Sequence, residues 1–344
     1  MLCAFFPQRL VRARQAHATS LVATRKSIHR QSGVGTTKLD TMHTENEPFQ
    51  SKTHMRFLSF DSHGQPGVGW IKDAQATDFV DLSLLGLPLP TDLKALIASP
   101  GGIAAAHAAA LQAPASATRE LASVRLLPLI PHPGKIVCMG LNYADHAKEG
   151  GNARPDYPSF FLRGATSMVG HHSPIVRPTA STQLDYEAEL ALVIGQRARH
   201  LTAANALDCI AGYSCFNDAS VRNYQRKSSQ WTIGKNFDST GPFGPWLVTP
   251  DELPPGAEGL RIQSRLNGKV MQDANTRDFL WNVVESLRII TECMTLEPGD
   301  VVITGTPAGV GYARTPPVWM APGDVCDIEI EGIGTLSNPI VDEH

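Results

Sequence analysis

Apolar positions along this chain of 344 residues fall into short runs that glycine, proline and small polar residues interrupt, a pattern typical of strands joined by turns. The stretch from which the prediction starts is 184–195, whose second half is apolar and partly β-branched and which Gly195 ends, so it predicts a strand. Side chains alternate across a strand, so Glu187 and Glu189 leave the same face about 7 Å apart. Two like charges this close repel each other unless a positive group lies between them, and we expect a divalent cation there.

The rest of the pattern predicts an α+β protein that is rich in short strands. Helices are predicted at 92–98 and, rich in alanine, at 103–111, and helical apolar spacing marks 279–296. Asn142 is expected to cap a further short helix that follows it. Glycine and proline punctuate the strands, which favours a sheet-rich roll or barrel-like body. Strands are predicted at 56–60, 68–71, 79–82, 136–140, 160–162, 175–176, 213–217, 260–266, 301–304 and 325–330, with a hairpin turn at Asn267-Gly268.

Three segments differ in composition, and we expect them to differ in role. Residues 1–54 are polar without sustained apolar periodicity, and 1–39 carry seven Lys and Arg and no acidic residue, which fits a disordered leader or a mitochondrial transit peptide. An upstream extension before an internal start at Met42 or Met55 stays open. Residues 55–130 predict a small N-terminal α+β domain without clustered reactive groups, and 131–344 predict the catalytic domain.

Charge, cysteines and hydropathy narrow the function classes. The formal net charge is −3, which gives no footprint for nucleic acid, and no apolar run is long enough to cross a membrane. The six cysteines are scattered without metal or disulfide spacing, so free thiols in a reducing compartment are expected. We predict a cytoplasmic protein, or one of the mitochondrial matrix if 1–40 is a transit peptide.

The strongest chemical candidate is the set Glu187, Glu189 and Asp218. Oxygen ligands of this kind suit a hard cation such as Mg²⁺, which keeps coordination positions for water and substrate. The alternative is a pair of acids on a solvated strand face. Because both strands that carry the three acids are otherwise largely apolar, we expect the acids to lie near a core.

Other polar residues could complete a reactive site. His146 and Glu149 stand three apart on a predicted helix, so the carboxylate can orient an imidazole that activates water. Lys235 follows a glycine and could stabilise an oxyanion or enolate, while Arg222 and Gln225 could bind a carboxylate. The bland alternatives are a surface ion pair, a loop lysine and a solvated arginine.

Several ordered motifs carry a family resemblance. They are Gly140-Leu-Asn-Tyr-Ala-Asp-His146, Asp185-Tyr-Glu-Ala-Glu-Leu190, Phe216-Asn-Asp218 with Arg222, Gly234-Lys235, Asn267-Gly268 with Gln272 and Thr276, and Gly305-Thr-Pro-Ala-Gly-Val-Gly311. From 135 to 342 the chain resembles the fumarylacetoacetate hydrolase family. One departure is Arg163-Gly164, where many members have Lys-Pro, and we expect it to affect the nearby loop more than the metal site.

The resemblance implies a mixed β-roll fold, a homodimer and a Mg²⁺ or Mn²⁺ site. Residues matching the family's metal ligands are Glu187, Glu189 and Asp218, and His146 with Glu149 matches its water-activating pair. Lys235 matches the lysine near the substrate. Substrate contacts are expected from Arg222, Gln225 and Thr306.

Residues and resemblance together predict a metal-dependent hydrolase that cleaves a C–C bond in a small 1,3-dioxo carboxylic acid of the acylpyruvate or fumarylacetoacetate type. The binding partner of such an enzyme is its substrate, a small 2-oxo acid. One alternative is a decarboxylase or isomerase of oxaloacetate-like acids or of 2-oxo acids from aromatic ring cleavage. Another is a non-catalytic metal-binding protein.

Overall fold

The computed structural model of the protein describes residues 55–72, 75, 77–151 and 153–344. The predicted leader or transit peptide at 1–54 lies outside the described residues. The strands among the described residues are β1 (Arg56–Ser62), β2 (Gln65–Ile71), β3 (Asp78–Asp81), β4 (Thr118–Glu120), β5 (Arg125–Leu126), β6 (Ile136–Gly140), β7 (Ser159–Arg163), β8 (Met168–Val169), β9 (Ile175–Arg177), β10 (Leu184–Asp185), β11 (Ala188–Ile194), β12 (Ile210–Asn217), β13 (Ser220–Val221), β14 (Gly241–Val248), β15 (Arg261–Leu266), β16 (Lys269–Asn275), β17 (Val301–Ile303), β18 (Val325–Ile330) and β19 (Gly334–Asp342).

Helices are few and short beside these strands. They are α1 (Leu93–Ala98), α2 (Gly102–Ala110), α3 (Ala144–Glu149), α4 (Arg222–Gln225), α5 (Thr232–Lys235) and α6 (Val283–Cys293). Strands therefore dominate a mixed α+β fold, which confirms the predicted fold class. In the part of the chain that the structure describes, no helix has the length and apolar character needed to cross a bilayer.

Most strands belong to one open sheet. This twelve-stranded sheet runs in the order β4-β3-β2-β1-β14-β12-β11-β17-β6-β7, with β5 paired to β1 and β8 paired to β14. A second sheet has the order β16-β15-β18-β19-β9, and β10 pairs with β13. Strands β4 and β7 form the two ends of the large sheet, so the described residues form a roll and no closed barrel.

Strand β11 lies between β12 and β17 at the centre of this sheet, and all seven of its residues are buried. Its side chains alternate, so Leu190 and Leu192 join one hydrophobic cluster while Ala191 and Val193 join the cluster on the opposite face. Glu189 belongs to the same face as Ala191. A carboxylate therefore points from a central strand into the interior.

The predicted boundary at 130 is crossed by the large sheet. Strand β1 pairs with β14 through Arg56 opposite Val248 and Phe57 opposite Leu247. Phe57 also packs in the cluster that contains Val193 of the central strand. That 55–130 is a domain of its own stays a prediction.

The predicted continuous strand at 184–195 is interrupted. Strand β10 ends at Asp185, and β11 begins at Ala188. Side chains supply the hydrogen bonds in between, because the Tyr186 amide donates to the Asp185 carboxylate and the Glu187 amide donates to Asn217 Oδ1 at 3.0 Å. Short-range pattern could not show this break, since Asn217 lies thirty residues further on.

The predicted capping role of Asn142 is wrong. Helix α3 begins after Tyr143 without a side-chain cap. The side-chain Nδ2 of Asn142 instead donates to the Thr304 and Trp281 carbonyls at 2.7 and 3.0 Å. The helix predicted at 279–296 is shorter, because Asn282 caps α6 in a reciprocal pair with Glu285. The other predicted helices and the Asn267-Gly268 hairpin occur within one or two residues of their predicted bounds.

Candidate active site and metal centre

Three buried carboxylates converge where the central strands end. Glu187 lies in the break before β11, Glu189 is the second residue of β11, and Asp218 follows β12. The Asp218 amide donates to the Glu187 carbonyl at 3.0 Å, which fixes the two strand ends beside each other. Each acid offers one oxygen, and these three oxygens all lie within 4.8 Å of one another. The predicted carboxylate set is therefore assembled in space.

Burial and mutual repulsion shape the charge of this set. Burial raises the pKa of Glu189 well above its usual value, and the charges of Asp218 and Glu187 raise it further. Burial would also raise the pKa of Glu187, but Lys235 and Arg222 outweigh it and hold that pKa below its usual range. Glu189 has the Gly305 amide as a donor at 2.6 Å and no ion-pair partner in the described part of the chain. Among the described residues, the negative charge of Glu189 therefore has no cation paired with it.

The three carboxylates fit a divalent metal ion on this observation. Their donor atoms are all oxygens, they are close enough to share one cation, and a cation would relieve the repulsion that raises the pKa of Glu189. All-oxygen sets suit Mg²⁺ or Mn²⁺ better than metals that prefer sulfur or nitrogen ligands.

Lys235 lies inside the carboxylate set. Its Nζ is 2.5 Å from Glu187 Oε2 and 2.5 Å from Asp218 Oδ2. Burial would lower the pKa of Lys235, but Asp218 and Glu187 outweigh it and raise that pKa, so the amine is charged and cannot accept a proton. Gly234 makes this position reachable, since a Cβ there would lie 2.4 Å from the backbone of Gln225.

Arg163 also belongs to the site, which the sequence analysis did not predict. Its side chain is fully buried, and Nη1 lies 2.6 Å from Asp218 Oδ1. Nη2 donates to Thr240 Oγ1, and the guanidinium stacks 5.6 Å from the ring centre of Phe216. Contrary to expectation, the Arg163 departure bears directly on a carboxylate of the metal set. The sequence feature that could have indicated a buried role for Arg163 is its position as the charged last residue of an otherwise largely apolar strand.

Arg222 joins two buried acids. Its Nε lies 2.8 Å from Asp185 Oδ2, its Nη2 lies 2.6 Å from Glu187 Oε1, and Nη1 donates to Gln225 Oε1 at 2.9 Å. Asp185 accepts further bonds from the Gly311 and Tyr312 amides at 2.7 and 3.0 Å. The guanidinium that was predicted to bind substrate is thus largely engaged by protein acceptors, and its contact with substrate stays a prediction.

The predicted His146 and Glu149 pair is formed on α3. His146 Nδ1 lies 3.0 Å from Glu149 Oε1, and the Gly309 amide donates to both oxygens of that carboxylate. His146 is 7% exposed, and its proximity contributes to the lowered pKa of Glu187. An anchored carboxylate that accepts from Nδ1 leaves the other ring nitrogen for exchange of a proton with a ligand.

One cavity of about 340 Å³ collects most of these residues. Eight of the nine predicted site residues line it: His146, Glu187, Glu189, Asp218, Arg222, Gln225, Lys235 and Thr306. The ninth, Glu149, lies behind His146. Thr306 accepts a hydrogen bond from Gln272 Nε2 at 2.7 Å, which orients its hydroxyl. The lining also contains Phe161, Trp231, Arg226 and Tyr312, which the sequence analysis did not single out.

Comparisons with known proteins identify relatives of this chain. The family model described as fumarylacetoacetate (FAA) hydrolase C-terminal matches residues 135–341. Oxaloacetate tautomerase FAHD2A, mitochondrial, of Bos taurus is 35% identical over 300 residues, which are 86% of this chain and 94% of that protein. The Homo sapiens protein of the same name shows the same identity and coverage.

Solved structures agree with this placement. A fumarylacetoacetate hydrolase from the psychrophilic bacterium Exiguobacterium antarcticum superposes with a TM-score of 0.71 at 36% identity, over 84% of this chain and 100% of that chain. A 2-hydroxyhepta-2,4-diene-1,7-dioate isomerase from Mycobacterium marinum superposes with a TM-score of 0.66 at 33% identity, over 84% and 99%.

Proposed function

Because the chain belongs to the fumarylacetoacetate hydrolase family, we propose that it is a divalent-metal enzyme that interconverts the keto and enol forms of a small 2-oxo dicarboxylic acid. This is the isomerase alternative of the sequence analysis. Relatives named as an oxaloacetate tautomerase and a dienedioate isomerase favour it over the hydrolase reading, which was placed first.

The observation that carries the proposal is that the carboxylate set and a histidine able to exchange a proton line the same cavity. Glu187, Glu189 and Asp218 would hold the cation. A divalent cation held there would supply Lewis-acid polarisation of the carbonyl of a 2-oxo acid. His146 lines the cavity and is the base that Glu149 orients.

Tautomerisation needs one proton to move from carbon to oxygen and no other reactant. His146 would take the proton from the carbon next to the carbonyl, so that the electron pair of that C–H bond becomes the new C–C double bond. The carbonyl oxygen then receives a proton and becomes the enol hydroxyl. Glu149 keeps the imidazole in the tautomer whose free nitrogen faces the cavity, and it stabilises the imidazolium that forms. Lys235 supplies fixed positive charge beside the developing enolate.

C–C bond hydrolysis is the second candidate, and the same imidazole favours it. A carboxylate-oriented histidine can deprotonate a water as readily as a carbon acid. The two activities differ in products, because tautomerisation leaves all carbon atoms in one molecule. Product analysis with oxaloacetate and with an acylpyruvate therefore separates tautomerase, decarboxylase and hydrolase.

The test uses the full chain with Mg²⁺ or Mn²⁺ and follows the ultraviolet absorbance of the oxaloacetate enol. We expect faster keto–enol exchange that EDTA abolishes, and at least about a hundredfold loss in His146→Ala because general base catalysis is removed. His132→Ala is the matched control, since His132 is exposed and does not line the cavity. Unchanged exchange rates in His146→Ala, or cleavage products from acylpyruvate alone, would contradict the tautomerase proposal.

We also propose mitochondrial targeting, the alternative location, because residues 1–39 are basic and acid-free and the named relatives are mitochondrial. Residues 1–54 fused to a fluorescent protein should direct it to mitochondria. Diffuse cytoplasmic fluorescence would favour the cytoplasmic expectation.

The predicted homodimer stays a proposal drawn from the family resemblance. Light scattering on the purified full chain measures its mass directly. A mass near twice the 37.1 kDa of one chain is expected.

A further inference from the structure

Arg226 is a second guanidinium at the cavity and has no part in the proposed proton transfer. It follows the last residue of α4, its side chain is exposed, and it lines the cavity that holds the carboxylate set. Its guanidinium carbon lies 4.3 Å from the ring centre of Tyr312. A guanidinium stacked by its face keeps its edge N–H groups available for an anion.

The other strong cations of the cavity lining are already paired. Lys235 is held by Glu187 and Asp218, and Arg222 is held by Asp185 and Glu187. For Arg226, no ion pair with a carboxylate occurs within the described ranges. Arg226 is therefore the guanidinium of this lining whose charge is left for a ligand.

Tyr312 fixes where that charge lies. Its amide donates to Asp185 Oδ2 at 3.0 Å, and its ring also carries the guanidinium of Arg222 at 4.5 Å. Arg222 Nη2 lies 2.6 Å from Glu187 Oε1. Arg226 and Arg222 therefore contact the same tyrosine ring, and Arg222 contacts Glu187 of the carboxylate set.

We propose that Arg226, which stacks on Tyr312, binds the outer carboxylate of a dicarboxylic substrate. The 2-oxo acid end of that substrate would lie at the carboxylate set of Glu187, Glu189 and Asp218. This inference rests on the proposed function and deepens it by assigning the residue that selects dicarboxylic over monocarboxylic acids. A planar fork of N–H donors matches a carboxylate, whereas an uncharged ester at the same position loses the charge-assisted bonds.

The experiment compares oxaloacetate with its 4-ethyl ester, in which the outer carboxylate is uncharged. For wild type and Arg226→Met, kcat and KM are measured with both compounds in Mg²⁺. The preference for oxaloacetate, as the ratio of the two kcat/KM values, should fall about tenfold to a hundredfold in Arg226→Met, mainly through KM for oxaloacetate. Arg226→Lys should restore part of it, because a lysine keeps the charge without the fork.

Lys227→Met is the matched control, because Lys227 is the adjacent cation and lies against the Tyr224 ring outside the cavity lining. It should keep the wild-type preference. An unchanged preference in Arg226→Met, or an equal fall in Lys227→Met, would overturn the inference while leaving the tautomerase intact.

If wild type converts neither compound, the proposed function fails first, and calorimetry on the Mg²⁺-loaded protein still tests the inference. The probes are oxaloacetate and oxalate, which has no outer carboxylate. Arg226→Met should weaken oxaloacetate binding relative to oxalate binding by about tenfold or more. An equal ratio of the two dissociation constants in both proteins would reject the assignment of Arg226.

Discussion

At the scale of single residues, Arg163 shows how a buried cation can support a set of buried carboxylates. It ends β7, is excluded from water and forms an ion pair with Asp218 at 2.6 Å. An isolated buried charge is costly, so each partner depends on the other. The pair therefore ties the edge strand of the large sheet to the carboxylate set.

Arg163→Met should destabilise the protein by up to about 3–5 kcal/mol, because the buried Asp218 carboxylate then keeps Lys235 but loses its second cation. Urea unfolding at neutral pH measures this change. Arg125→Met is the control, since Arg125 pairs with Asp61 at 2.9 Å but has 64% of its side chain exposed, and exposed pairs contribute under about 1 kcal/mol. Equal losses in the two variants would show that the Asp218 pair has no special role.

Glu189 illustrates the opposite balance between function and stability. The residue is 2% exposed and its carboxylate is repelled by two others, so its charge weakens the fold when no cation is bound. Glu189→Gln removes that repulsion while keeping the side-chain shape. We expect weaker Mg²⁺ binding together with a Tm in EDTA at or above that of wild type, and each kcal/mol gained raises the Tm by roughly 1–2 °C in a chain of this length.

Calorimetric Mg²⁺ titration and thermal unfolding in EDTA check the two halves of this prediction. Glu292→Gln is the control, because Glu292 lies on an exposed position of α6. A metal-free Glu189→Gln protein that melts clearly below wild type would contradict the repulsion argument.

At the scale of elements, the half-buried His171 links the loop after β8 to β19. His171 Nδ1 accepts the Ser337 amide at 3.0 Å, and its ring stacks on His172 at 3.7 Å between centres. Burial, and then the neighbouring His172, lowers the pKa of His171 to about 3. The contact with β19 requires the neutral ring, since a protonated Nδ1 cannot accept a hydrogen bond.

This histidine should make stability depend on pH. Its pKa is lower in the folded state than the usual 6.5, so the unfolded chain takes up a proton first as the pH falls, and stability is lost between about pH 6.5 and pH 3. His171→Asn removes this contribution, which amounts to at most about 1.4 kcal/mol per pH unit. Urea unfolding from pH 7 to pH 4 should show a flatter dependence in His171→Asn than in wild type. Parallel curves would disprove the role of His171.

Elements whose pattern is local were predictable, and those fixed by distant partners were not. Strand β12 and helix α6 follow from the spacing of their own apolar residues. Asn142 instead bonds to Thr304 and Trp281, more than 130 residues away, so no local rule could reveal its role. The site shows the same division, because the three carboxylates lie on or directly beside strands with a clear apolar pattern, whereas Arg226 and Tyr312 are brought together only by the fold.

At the scale of the whole molecule, the first described strands share one sheet and one hydrophobic cluster with residues that lie after position 130. Phe57 and Trp70 pack in the cluster that also contains Phe243 and Leu247 of β14. A chain that begins at residue 131 would expose these apolar surfaces and one edge of β14. We therefore expect it to aggregate or to unfold without a cooperative transition.

A chain that begins at Met55, which keeps β1 and β2, is the comparison for this truncation. Circular dichroism and thermal unfolding of both proteins provide the measurement. Cooperative unfolding of residues 131–344 alone would show that the catalytic region folds independently, as the predicted domain boundary at 130 implies.

The ring of Tyr312 carries two guanidinium groups that serve different ends of the cavity. A change at 226 alters the outer end alone, whereas a change at 312 disturbs Arg222 and, through it, Glu187 and Asp185. Single substitutions at 226 can therefore change substrate preference during evolution while the carboxylate set is retained. Position 312 has no such freedom. Libraries built to obtain new acid specificities from this scaffold should vary 226 and hold 312 constant.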